Sequence, residues 1–126
     1  MEIYMKLEKI TAAYQALCRL AEQECEYQTA HALLTVKQML LPHIQFYADE
    51  ELKLARAFAK KDERGEPMIR DGRFEIEGDA ALYRSKRAAL DAVEVEIQPI
   101  SIPGLLRMRA NDLEALEGIA YFGGEQ

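Results

Sequence analysis

The chain has 126 residues, 49 % of them hydrophobic and 30 % charged, and carries a net charge of −6. That length holds one domain, 1–126, with a modest core and no need of disulfide or metal staples. Acidic residues outnumber basic ones 22 to 16 with no basic stripe, which argues against direct nucleic-acid binding, and the lack of Trp argues against a stacking surface for bases or sugars.

The acids are interleaved with Lys and Arg, so they describe a solvated surface rather than a mimic of DNA. Cys18 and Cys25 fall on one predicted helix about 10 Å apart along its axis, beyond disulfide reach. The segment Met1 to Lys6 has no basic region followed by an apolar run, which predicts no secretory signal. The apolar runs are only a few residues long, well short of the ~20 needed to cross a membrane. The expected location is the cytoplasm.

In chain order, Ile3, Leu7, Ile10, Tyr14, Leu17 and Ala21 alternate spacings of four and three, and Ala13 and Leu20 widen the stripe. They predict an amphipathic helix from 3 to about 25. A second helical stretch, from about 28 to 61, carries Leu33, Val36, Leu40, Ile44, Tyr47, Leu54 and Phe58 on one stripe. The short connection near Glu26 predicts an antiparallel helical hairpin over about 3–61. Pro42 removes a backbone donor and crowds the Gln38 carbonyl, so a kink or a break is expected there. The second helix should outlast the first by about ten residues and must find cover elsewhere.

Residues 62–72 read as a loop closed by an Asp-Gly turn, followed by an alternating strand at 73–77. Asp79 is placed to cap a third helix containing Leu82, Ala88 and Leu90. Val93, Val95 and Ile97 alternate with polar residues as a half-buried strand, expected to pair with 73–77, and 99–104 should be irregular. The run Asn111-Asp112-Leu113-Glu114 resembles a capping box and predicts a fourth helix with Leu113, Leu116, Ile119 and Ala120 facing the core. The fold class is therefore α+β, mainly α: an antiparallel N-terminal helical hairpin, then a C-terminal α/β part over about 73–122 with a small two-stranded β element and two further short helices.

No catalytic, cofactor or metal constellation stands out. His31 and His43 are twelve apart with no acid at ligand spacing. Consecutive acids Asp49, Glu50 and Glu51 point in different directions on a helix and read as a solvated face. Ser85 and Ser101 sit in no nucleophile elbow, and the glycines form no phosphate loop. The chain is expected not to be an enzyme. Tyr47, Leu54 and Phe58 are the candidate partner-binding residues, because the distal half of the second helix outruns the first. Either the 73–104 segment folds back over them, or they form an apolar face for self-association or partner binding.

Met5-Lys6-Leu7, the helix around 30–60, the charged loop Asp62 to Gly72, Phe74-Glu75-Ile76, the closing Leu90 to Ile100 segment and Asn111 to Leu116 follow one another in an order that resembles an uncharacterised family. That family is encoded by tailed phages and prophages of Gram-positive bacteria. It has no assigned activity, so the resemblance implies a phage origin and a bacterial host cell rather than a mechanism. The resulting expectation is a non-enzymatic protein that binds a phage structural protein or a host protein, in virion or tail assembly. The alternatives are an acidic inhibitor of a host defence or nucleic-acid-handling enzyme, and a small enzyme whose site only the fold assembles. Two long amphipathic helices on a small chain also predict a homodimer.

Overall fold

Leu7, Ile10, Ala13, Ala16, Leu17 and Leu20 are buried along one face of the first helix, α1 (Leu7–Leu20), because intervals of three and four repeat once per turn. The computed structural model describes residues 3–104 and 106–122. The predicted stripe is therefore found, but its start is not helical. Ile3–Lys6 is a strand, β1. Ile3, Met5 and Leu7 also alternate with Tyr4 and Lys6, so a period of two competes with the helical one, and a strand partner decides between them.

The partner is β4 (Glu94–Ile97), antiparallel, with Ile3 opposite Ile97 and Met5 opposite Val95. The apolar faces of both strands join the core around α1. On the outer face the Tyr4 hydroxyl donates to Glu96 at 3.1 Å. Leu7 N continues the pairing by donating to the Val93 carbonyl at 2.9 Å, where α1 starts. The expected pairing of 93–97 with 73–77 is thus corrected. β1 offers four alternating residues beside the core, whereas 73–77 lies against the far end of the second helix.

That second helix, α2 (Tyr27–Phe58), runs 32 residues without interruption, against 14 for α1. At 1.5 Å per residue it is about 48 Å long. Pro42 lies inside it and breaks nothing. The prolyl ring is on the solvent side, where water can satisfy the Gln38 carbonyl that loses its donor. Thr29, Leu33, Val36 and Leu40 are buried against α1, and none of the buried helix residues lies beyond Pro42.

The chain then turns through β2 (Ile69–Arg70) and β3 (Arg73–Phe74), an antiparallel hairpin. Asp71 and Gly72 both take positive φ, 53° and 78°, as a two-residue turn matched to strand twist requires. Only 73–74 of the expected strand is regular. Residues 75–77 instead bond to the end of α2, with Lys60 N to Glu75 O and Glu77 N to Phe58 O, both at 2.7 Å. α3 (Ala80–Asp91) begins where Asp79 accepts from Leu82 N at 3.0 Å, the cap expected from the sequence.

The 99–104 segment is not irregular. β5 (Ile100–Ile102) pairs in parallel with β6 (Ala120–Phe122), and α4 (Ala110–Leu116) connects them. The capping box at Asn111 does not form, because Asp112 turns inward to Arg19 and Arg109 occupies the cap position without a side-chain bond. That choice of face leaves Leu113 exposed while Leu116, Ile119 and Ala120 enter the core. Four helices and three two-stranded pairs make the fold α+β and mainly α among the described residues.

Candidate functional site

Beyond Pro42, α2 has no α1 beside it, and α3 takes that place. Tyr47, Glu51, Leu54 and Phe58 follow at intervals of four, three and four, so they share one face. The Tyr47 hydroxyl donates to Asp91 Oδ1. Arg87 pairs with Glu51, and its Nε lies 3.6 Å from Asp91 Oδ1. At the far end the rings of Phe58 and Tyr83 meet at 5.5 Å, tilted by 60°. Leu54 sits half-buried between these contacts. The segment after the hairpin thus folds back over the stripe, with Tyr47 and Phe58 in contact with α3.

Burial, together with the bond to Asp91, raises the Tyr47 hydroxyl above its ordinary pKa. Burial works against the charge of Arg87, but the Tyr47 oxygen and the Glu51 carboxylate outweigh it, and the guanidinium stays charged. Its Nε is buried without a hydrogen-bond partner.

Beside the stripe lies a groove of about 880 Å³. Ala48, Glu51, Leu52 and Ala55 of α2 form one wall, and Tyr83 and Arg87 of α3 form the other. Phe74 and Ile76 contribute from the segment that follows the hairpin turn, with Arg73 alongside. Two alanines keep the α2 wall low, and Leu52 is 41 % exposed there. Leu34, Leu41, Ala48, Leu52 and Ala55 recur at intervals of seven, seven, four and three, which puts them on one flank of α2 that continues into the groove. Leu34 and Leu41 are exposed as well. This recurrence is visible in the sequence but was overshadowed there by the stronger core stripe next to it.

The remaining candidates stay apart. His31 is exposed with its ring 5.9 Å from Tyr27, and His43 is half-buried elsewhere on α2. Of the three consecutive acids, Glu50 bonds Lys53 at 2.9 Å, Glu51 turns to Arg87, and Asp49 is exposed. Among the described residues no group of three His, Cys, Asp or Glu side chains is placed to hold a metal ion. No helix among them is long and apolar enough to cross a membrane.

Fold and site together define a mainly helical α+β protein with a groove of apolar and charged lining on the free half of a long helix. No protein-family model, curated protein or solved structure matches the chain.

Proposed function

We propose that this is a non-enzymatic, phage-encoded protein that acts by binding another protein through the α2 groove, in virion or tail assembly. The observation that carries the binding reading is the exposed Leu52 at the centre of an apolar flank that opens into the groove. A groove between a helix wall and a second element suits the apolar face of a partner helix, whose burial supplies the affinity. The phage origin and the assembly role rest on the resemblance carried by Met5-Lys6-Leu7 through Leu116.

The test compares tagged wild-type and Leu52→Glu protein as baits in phage-infected cells. The expected result is a virion or tail component on the wild-type bait, reduced by roughly tenfold or more on the variant, since one buried leucine is worth ~1.5–3 kcal/mol. Equal capture by both baits would overturn the groove as the binding surface. Recovery of a single host enzyme, released by salt, would overturn the assembly role in favour of inhibition.

A further inference from the structure

Three arginines line one hollow at the end of α1, in a chain whose net charge is −6. The hollow holds about 410 Å³, with Arg19, Glu22 and Gln23 on one side and Arg107, Met108 and Arg109 on the other. Asp112 completes the lining, and none of these residues belongs to the α2 groove.

Neighbouring groups set the arginines in place. Asp112, 4 % exposed, accepts through its Oδ1 from both Nε and Nη2 of Arg19. That bond fixes the plane of an otherwise exposed guanidinium, and Nη1 takes no part in it. Gln23 pairs with the backbone of Arg107 as a neighbouring strand would. Its amide nitrogen donates to the Arg107 carbonyl, and its oxygen accepts from Arg107 N at 3.2 Å. Met108 packs on the core, while Arg107 and Arg109 on either side of it are exposed. The Arg19 bond chiefly, and the Arg109 charge as well, hold the Asp112 carboxyl low, so Arg109 lies near the same anchor.

Arg107 and Arg109 have no ion-pair partner among the described residues. Asp112 offsets Arg19, and the exposed Glu22 is the one other carboxylate of the lining. The hollow is therefore positive in an acidic chain.

We infer that this hollow binds a phosphate group, free or as the monoester of a small molecule. Guanidinium forks match the oxygens of a tetrahedral dianion two at a time. Arg107 and Arg109 supply the uncompensated charge, and Arg19, held by Asp112, supplies a fixed donor. Small-molecule sites usually hold ~300–1,000 Å³. The 410 Å³ here leaves room for a small body beside the phosphate, against Met108. This inference does not depend on the α2 groove having a partner.

Amide-resolved NMR titrations of the full chain at constant ionic strength test it, with inorganic phosphate, glycerol phosphate and acetate as the monoanion control. Saturable shifts are expected in amides of 19–23 and 107–112, from the two phosphates and not from acetate. Tighter binding of the ester would assign the site to a phosphorylated small molecule, and equal binding to the bare phosphate group. Arg107→Ala and Arg109→Ala should each weaken binding by roughly tenfold, with a thermal melt as folding control. Glu22→Gln should tighten it by about twofold or more, because one repelling charge is gone. Should an alanine variant fail to fold, lysine at that position keeps the charge without the fork and should still bind less tightly. Shifts that do not saturate, that acetate produces equally, or that persist unchanged in the arginine variants would overturn the inference.

Discussion

Gly104 faces Thr29 so closely that a Cβ on the glycine would overlap the Thr29 hydroxyl. Thr29 is 2 % exposed near the start of α2, and its Oγ1 donates to the Pro103 carbonyl at 2.8 Å. Gly104 itself has φ of +88°, in the region that L side chains rarely adopt. One contact therefore fixes where β5 ends and clamps the connection to α4 onto the first turns of α2.

Gly104→Ala should destabilise the fold by about 2 kcal/mol or more, from backbone strain plus the steric overlap. Thr29→Ala removes the overlap and the bond to Pro103, at a cost of ~1–2 kcal/mol. In the Thr29→Ala background the glycine substitution should cost less, because only the strain remains. A double-mutant cycle by denaturant melts measures that coupling. Strictly additive costs would show that the two residues do not act as one contact.

Arg19 and Asp112 join α1 to α4, with Arg19 Nε donating to Asp112 Oδ1 at 3.0 Å. Asp112 is 4 % exposed, and the hydrogen bond from Arg19 holds its carboxyl below the usual carboxylate range despite burial. A depressed folded pKa means that this contribution is fully present above the unfolded value of ~3.9 and is lost as pH falls through the folded value. Asp112→Asn should lower stability at neutral pH and flatten the acid limb of the stability profile. Parallel profiles for the two proteins between pH 7 and pH 2 would sink this assignment.

The sequence was most legible where one periodicity had no competitor. The α1 stripe, the proximal half of α2, the Asp79 cap and the Asp-Gly turn follow from local side-chain chemistry. The structure departs from the local pattern where a partner distant in sequence decides the outcome. Ile3 to Lys6 satisfies two periods, and only β4 selects the strand. Asn111 to Glu114 has a capping-box pattern, but Arg19 draws Asp112 inward and turns Leu113 out to solvent. β5 and β6 are three residues each and pair across the intervening α4, too short for any pattern to announce. The site was half legible: Tyr47, Leu54 and Phe58 mark the free half of α2, while Arg87, Tyr83 and Phe74 reach it only through the return of the chain.

None of the residues of α3 is buried, so the helix is held by a few side-chain contacts at its edges. Elements with so little buried apolar surface open locally before the domain unfolds. Amides of 80–91 should exchange with solvent earlier than those of the buried face of α1. Phe58→Ala, which removes the ring packed on Tyr83, should speed exchange in α3 by at least roughly tenfold while leaving α1 protected. Equal acceleration in both helices would show that α3 unfolds only with the rest.

Pro42 stands in the interior of α2 with its ring in solvent, between the half packed on α1 and the half packed on α3. A proline there forgoes one helical hydrogen bond and crowds the preceding turn, at a cost approaching ~3 kcal/mol relative to alanine in a helix interior. Part of that cost is offset because proline also restricts the unfolded chain. Pro42→Ala restores the donor to Gln38, adds no atom to the core, and touches neither the groove nor the hairpin. It should therefore raise stability by about 1–2 kcal/mol and strengthen the protection of amides around residue 42. An unchanged or lowered midpoint in denaturant would mean that the packing of α3 and the hairpin on the distal half depends on a bend that the proline imposes. In that case the groove variants should be retested in the alanine background, since its width would then be set from residue 42.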